Sequence, residues 1–469
     1  MRRSTLTALL ILALGAGAVG VAPALAAPGE TVFFESPHAL LTPATQAQSL
    51  NQLQSLGVRA LRVVLYWRDV APKPNHQRKP SFNQTNPASY HWGEYDSLIA
   101  AADARHWKVL LSVSGPVPRW ATPHGEDIYS SPNTGDFRQF MEAVGKHYGR
   151  QIKLFSIWNE PNQPGFLRPQ YVGGKLTSPS IYRGLFIAGY DGLQASGNFS
   201  GMTVLMGETS PTGVQSQGVP APLAFLRGVL CLNSAYKPVG HCSKLPADGY
   251  AQHPYSNSRG PFWDPPPDDV TIGTIGRLVT ALDRAAAAGA VRPGLAVYIT
   301  EFGVQSVPNP YEGVSLVQQA EYDAICEHVA WENPRVAAFG QYLLADDRPA
   351  HGRVVGFQTG LETYKGAPKP AYSGFRLPFT VTAGAGGVSF WGLVRPATHV
   401  THVTVQYSSN GGRSWNGLAT EPTDVTGAWN GGGRFVAGRI WRVDWTSPTG
   451  QAYAGAATRA YTSSGQIAS

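Results

Sequence analysis

The segment Ile152-Lys153-Leu154-Phe155-Ser156-Ile157-Trp158-Asn159-Glu160-Pro161-Asn162 decides how the rest of the chain is read. Its apolar run, Ile152 to Ile157, has the length and composition of a buried strand. At the strand's end an Asn amide and a Glu carboxylate stand next to each other, flanked by Trp158 and Pro161. A matching run, Ala296 to Thr300, leads into Ile299-Thr300-Glu301-Phe302-Gly303. Two strands that each end on a carboxylate invite the question of whether the fold brings those ends together.

Working outward, short apolar runs alternate with segments of helical periodicity from Thr31 to Phe375. Strands are expected at 31–34, 60–66, 109–113, 152–158, 203–206, 250–253, 296–300 and 336–342. Helices are expected at 46–56, 90–106, 137–148, 181–193, 223–230, 272–288 and 317–331, with a last turn at 371–375. Phe137, Phe140, Met141, Val144 and Tyr148 recur at the spacing of one buried helical face. Eight strand–helix units imply an α/β fold with a parallel sheet, and eight strands close it into a (β/α)8 TIM barrel. Such barrels carry their chemistry at the C-terminal ends of the strands. Glu160 and Glu301 fall at the ends of strands four and seven.

After Pro378 the texture changes. From Thr380 to Tyr461 the chain is β-rich, with alternation such as Val403, Val405 and Tyr407. Turns are expected at Asn410-Gly411-Gly412 and at Asn430-Gly431-Gly432-Gly433. This reads as a C-terminal β-sandwich of immunoglobulin or fibronectin III style. Its Trp391, Trp415, Trp429, Trp441 and Trp445 can line a sugar-binding face or fill the core and the contact with the barrel; core packing is the more economical reading. The organisation is then 1–26 leader, 27–376 barrel and 377–469 sandwich.

The leader reading rests on basic Arg2 and Arg3, an apolar stretch from Leu6 to Val21 and the small-residue site Ala24-Leu25-Ala26. Too short for a membrane anchor, it implies export, with a bacterial host favoured by its Ala/Gly/Arg-rich texture. Loss of Arg2 and Arg3 lowers the formal net charge from +7 to +5. The remaining Lys and Arg are scattered, which argues against nucleic-acid binding. In an exported chain Cys231 and Cys242, around a loop with Pro238 and Gly240, are expected to form a disulfide, and Cys326 to be a buried free thiol. No Cys/His arrangement has zinc spacing, and His399 and His402 read as surface residues. Asn83-Gln84-Thr85 and Asn198-Phe199-Ser200 are glycosylation sequons only in a eukaryotic host.

Several residues fall in barrel order: Arg62 in Leu61-Arg62-Val63 of strand two, Asn159-Glu160-Pro161 ending strand four, His253-Pro254-Tyr255 ending strand six, and Glu301 ending strand seven. In this order they resemble the clan A retaining glycoside hydrolases, with families 5 and 39 nearest, over Thr31 to Phe375. The His-Pro-Tyr run is similar to the His-x-Tyr of family 5. The resemblance implies a two-step displacement on β-linked poly- or oligosaccharides, β-glucan or xylan types first, without cofactor or metal. By it, Glu160 is the acid/base and Glu301 the nucleophile; two such carboxylates stand about 5–5.5 Å apart in retaining enzymes. Arg62 and Tyr255 support Glu301, Asn159 binds the 2-hydroxyl, and His253 orients the sugar. Protonation of Glu160 is expected from a negative Glu301 nearby and from desolvation around Trp158. Read without the resemblance, the two Glu are strand-end carboxylates in salt bridges, Arg62 a buried ion pair and His253 a core histidine.

Trp67 and Trp120 are the foremost candidates for stacking on a sugar face, with Trp92 and Trp263 behind them. Tyr342, ending strand eight, stands where many clan members have a Trp. Glu208, ending strand five, points to the cleft and suits a hydroxyl or a cationic partner. Asp346 and Asp347, following strand eight, read as polar subsite residues or, more economically, as a solvated loop. A transglycosylase on cell-wall glycan would use the same residues, whereas a non-catalytic carbohydrate-binding protein would be marked by loss of one Glu or of Asn159, and all are present.

Overall fold

The computed structural model describes residues 30–351 and 353–468. The leader expected at 1–26 lies outside them. Eight parallel strands close a barrel: β1 (Thr31–Glu35), β2 (Ala60–Tyr66), β3 (Lys108–Ser114), β4 (Leu154–Ile157), β5 (Thr203–Thr209), β6 (Gly249–Gln252), β7 (Ala296–Phe302) and β8 (Val336–Tyr342). Closure is made by β1 on β8, in register from Thr31↔Ala338 to Glu35↔Tyr342. The principal outer helices are α1 (Pro43–Ser55), α2 (Gly93–Asp103), α3 (Thr134–Tyr148), α4 (Ser178–Ala195), α5 (Pro222–Val229), α6 (Ile275–Ala287), α7 (Leu316–Trp331) and α8 (Pro370–Arg376).

The element order is the expected one, with shifted boundaries. The helix expected at 90–106 covers only Gly93–Asp103; Tyr90, which follows the 3-10 turn Pro87–Ser89, is extended (φ −117°, ψ 161°) and delays its start. Strands β5 and β7 run further than expected, and each contains a bulge. Against β6, β5 advances two residues (Gly207 to Thr209) while its partner advances one (Ala251 to Gln252). Against β8, β7 advances three (Ile299 to Phe302) while its partner advances two (Phe339 to Gln341).

Inside the barrel lies an apolar floor of Phe33, Ala60, Leu110, Leu205, Ala251 and Ala338, with Leu154 and Tyr298 against it. Side chains two residues further along a strand face the same way. Hence Glu35, Arg62 and Ser112 form the next layer up on β1, β2 and β3. On β5 and β7 the acidic residues stand three beyond the floor residues, at Glu208 after Leu205 and Glu301 after Tyr298. Plain alternation would point both outward; an inserted residue turns a strand's facing by one step, and the bulges return both carboxylates to the interior.

The C-terminal strands are β9 (Phe379–Gly384), β10 (Gly387–Leu393), β11 (His402–Ser408), β12 (Asn416–Pro422), β13 (Ala428–Gly433), β14 (Ile440–Thr446), β15 (Ala452–Ala454) and β16 (Ala460–Thr462). They form two four-stranded sheets, β13-β10-β9-β16 and β12-β11-β14-β15. Asn430-Gly431-Gly432-Gly433 is no turn. It is the end of β13, paired from Trp391↔Asn430 to Val388↔Gly433. Its missing side chains leave room for Glu421 over Gly431 and for Leu418 over Gly433. Trp391, Trp429, Trp441 and Trp445 are all buried. Trp391 also stacks on His328 of α7, with ring centroids 4.5 Å apart, so these rings fill the core and the barrel contact. Trp415 alone of the five is partly exposed, beneath Arg442.

Further ties fix the sandwich to α7. Arg395 makes two bonds to Glu327 (2.7 and 2.8 Å), and Arg459 and Tyr461 both bond Glu321. Cys231 and Cys242 are disulfide-bonded and Cys326 is a buried free thiol.

Candidate active site

The residues quoted from strands two, four, six and seven converge at the C-terminal mouth of the barrel. Arg62, fully buried, is the hub. Its Nη1 donates to Glu301 Oε2 at 3.0 Å and to Glu35; its Nη2 donates to Asn159 Oδ1 at 2.6 Å and to Glu208 Oε2 at 2.8 Å. Nε also leans on Glu208, at 3.4 Å. One guanidinium thus draws three carboxylates and an amide from four strand ends into a single cluster, in the forked geometry that suits Arg.

Glu301 is fixed from two sides, by Arg62 and by the Tyr255 hydroxyl, which donates to Oε1 at 2.7 Å. Burial first, and the Glu301 charge second, push the Tyr255 phenol well above its ordinary range, so it remains a donor.

Glu160 sits on strained backbone. Trp158 (φ 75°) and Glu160 (φ 39°) lie in the left-handed region, which side-chain-bearing residues seldom occupy. Trp158 is held by its amide on Val113 O and its indole N–H on Phe166 O. The Glu160 amide donates to Glu208 O, and Asn159 N donates to Ser114 Oγ. Burial, ahead of every other cause, raises the Glu160 carboxyl to about 7; Arg62 opposes this and Glu208 adds to it. The neighbouring charge that matters is therefore Glu208, not Glu301 as the sequence suggested.

His253 joins the two carboxylates. Its Nδ1 is 3.1 Å from Glu160 Oε1 and 3.6 Å from Glu301 Oε2. Burial lowers its pKa, with Glu301 pulling the other way. Its Nε2 is buried without a partner, so the neutral tautomer with hydrogen on Nδ1 is the one the surroundings satisfy. No group of His, Cys, Asp or Glu among the described residues could hold a metal ion.

Other candidates lie elsewhere. Trp67 is fully buried and stacks on Phe140 at 5.2 Å. Trp120 packs edge-on against Trp67 and Phe82, and Trp92 stacks on Phe140 and His147. A ring within this aromatic cluster has no face free for sugar, so Trp67 and Trp120 are core residues. Trp263 is partly exposed under Arg259, at 4.8 Å. Glu208 does not open to the cleft. It is fully buried, and Arg62 and Ser112 Oγ (2.6 Å) take its oxygens. Burial pushes its pKa up, but those partners outweigh burial and hold it below the usual range. Asp346 is no solvated loop residue, being buried in an ion pair with Lys369 at 2.6 Å. Tyr342 does reach the site, partly exposed and edge-on to Phe357 at 5.1 Å.

Sequence reasoning missed Glu35 and Phe357. Glu35 follows the apolar run Val32-Phe33-Phe34 and obeys the same strand-end rule as Glu160 and Glu301. Burial raises its pKa, with Arg62 opposing. Phe357 lies in a long loop, where no periodicity marks it.

No protein-family model matches the chain, and no curated protein sequence matches it. Solved structures do. A family 39 glycoside hydrolase from Bacteroides cellulosilyticus superposes with TM-score 0.53 at 15% identity, over 88% of this chain and 80% of that one. A glucosidase from Croceicoccus marinus gives 0.56 at 10% identity, over 90% and 96%. A monomeric β-xylosidase from Caulobacter crescentus gives 0.52 at 15% identity, over 90% and 97%. The chain has the fold of the family 39 glycoside hydrolases. At these identities the likeness is one of architecture, and the chemistry has to be argued from the residues.

Proposed function

We propose that the protein is a secreted retaining β-glycoside hydrolase acting on β-linked poly- or oligosaccharides of glucan or xylan type. The observation that carries this is the pair Glu160 and Glu301, on opposite sides of one barrel mouth yet both within 3.6 Å of the same His253 nitrogen. Two carboxyls that close can address one glycosidic bond, and their environments differ as the chemistry requires. Glu301, oriented by hydrogen bonds from Arg62 and Tyr255, attacks the anomeric carbon. The bond to the leaving oxygen breaks, and that oxygen takes the Glu160 proton. Water then attacks the glycosyl ester, gives its proton to Glu160, and frees Glu301. Neither step calls for a metal or a cofactor. Asn159, oriented by Arg62, is placed to hold the 2-hydroxyl, a contact that strengthens in the transition state. The Cys231–Cys242 disulfide supports export.

The test is hydrolysis of aryl β-glycosides and soluble glucans, xylans and mannans by wild type and Glu301→Ala. Turnover by wild type, with a dead variant that azide rescues as the inverted glycosyl azide, is the expected result. A wild type that binds glycan yet cleaves none of them would overturn the hydrolase reading in favour of a binding protein.

A further inference from the structure

Beside Glu301 the mouth has an aromatic wall made by two different parts of the chain. Tyr255 follows β6 and Tyr342 ends β8. Between them stands Phe357, with ring centroids 5.9 Å from Tyr255 and 5.1 Å from Tyr342, the latter at an interplanar angle of 85°. Tyr255 is buried, stacked on Phe302 on another side. Phe357 and Tyr342 keep part of their surface open. They form an apolar corner next to the carboxylate that Tyr255 holds.

The loop after β8 is built to hold Phe357 still. The Phe357 amide donates to Asp347 Oδ2 at 2.7 Å, and the Asp347 amide donates back to Phe357 O at 2.9 Å. The next residue, Gln358, is gripped by Gln305 of the loop after β7, whose Oε1 accepts its amide at 2.6 Å. Lys369, its side chain almost wholly buried, ties the arrangement together. Its Nζ donates to Asp346 (2.6 Å), Ser306 Oγ (2.9 Å) and Gln358 O (3.3 Å). A buried ion pair with its donors filled gives geometric definition more than stability. Gly356 lets the chain turn in, at φ 69°, where a Cβ would strike Asp347 Oδ2.

Charge points the same way. The inner shell holds Glu35, Glu160, Glu208 and Glu301 around one arginine, and every nitrogen of Arg62 is already engaged within the protein. Lys369 is committed as well. Neither cation can receive a carboxylate brought by a ligand.

Resting on the glycosidase reading of this site, we infer that the glycon subsite takes an uncharged sugar ring, packed by its apolar face on Phe357 and Tyr342, and rejects uronic acids. Phe357 is the specificity-determining residue, delivered by the β8 loop rather than by the end of a barrel strand.

The experiment is saturation-transfer NMR on the full-length protein with xylose, glucose and glucuronic acid, run beside turnover of the corresponding aryl β-glycosides. Xylose or glucose is expected to bind, with glucuronic acid weaker by on the order of 100-fold. Phe357→Leu keeps apolar bulk but loses the ring face, and is expected to weaken the neutral sugar about tenfold with unchanged circular dichroism. Phe357→Tyr should restore binding. Glucuronic acid binding as well as glucose would overturn the inference and point to Arg348 or Arg353, exposed residues that precede Phe357 in the same loop. Unchanged binding by Phe357→Leu, or binding of none of the sugars, would overturn it too. Sugar binding with this pattern but no turnover would leave the subsite standing and remove only the hydrolase reading.

Discussion

At the residue scale, the site is a question of how one guanidinium shares itself among its acceptors. Arg62 helps hold Glu208 below the usual carboxylate range, while burial raises Glu160, reached by no Arg62 hydrogen bond, to about 7. An acid that must be protonated at the first step loses that form as pH climbs past its pKa. The kcat/KM of a substrate with a poor leaving group should therefore fall along an alkaline limb near pH 7. With a dinitrophenyl leaving group, which needs no proton, that limb should disappear from kcat/KM. A limb that persists unchanged would show that Glu160 is not the acid. Arg62→Met strips the charge from a cluster of carboxylates and is expected to lower kcat on the order of 100-fold or more, read in the same assay.

At the element scale, strand-end position alone does not make a carboxylate face the cleft. In β5 and β7 the facing depends on one inserted residue each, and both bulges crowd a glycine. Gly207 sits at φ 106°, where a Cβ would lie 2.6 Å from Ala251 O; at Gly340, opposite the β7 bulge, a Cβ would lie 2.4 Å from Thr300 O. Neither obstacle is a flexible side chain. Gly207→Ala and Gly340→Ala should each destabilise by roughly 1–3 kcal/mol in a urea melt. They should also lower kcat, because each moves a carboxylate of the Arg62 cluster. Wild-type stability and kcat in both would show that the bulges are not what aims Glu208 and Glu301.

At the scale of the whole molecule, the sandwich is bound to the barrel through α7. Glu327 is buried against Arg395, each side chain 5% exposed. Removing one partner of such a pair strands the other, so Arg395→Met should cost about 3–5 kcal/mol in a denaturant melt. Stability should also depend on pH in a defined direction. Glu160, and Asp323 of α7, are raised by burial to about 7 and about 8. Folded, they hold protons that the unfolded chain has already released above about 4.5, so their contribution is lost as pH rises through those values. His328 is lowered by burial to about 4, and its opposite effect is confined below about pH 6.5. The melting temperature should therefore fall between pH 6.5 and 8. A rise over that interval would contradict the burial of these acids.

Local sequence determined the series of strands and helices, because each element's burial pattern is written in its own few residues. It also determined that Glu160 and Glu301 end strands, and that Arg62, His253 and Tyr255 belong to the same rim. Glu35 was within reach of the same rule. What tertiary structure alone decided depends on distance through space. Trp67 and Trp120 have the same composition as subsite residues, and only packing against Phe137, Phe140 and Phe82 makes them core. Glu208 became the partner of Arg62, and Asp346 that of Lys369, through contacts more than a hundred and some twenty residues along the chain. Phe357 reached the mouth because a loop without periodicity is shaped by what it touches, and nothing local to that loop encodes Gln305 or Lys369.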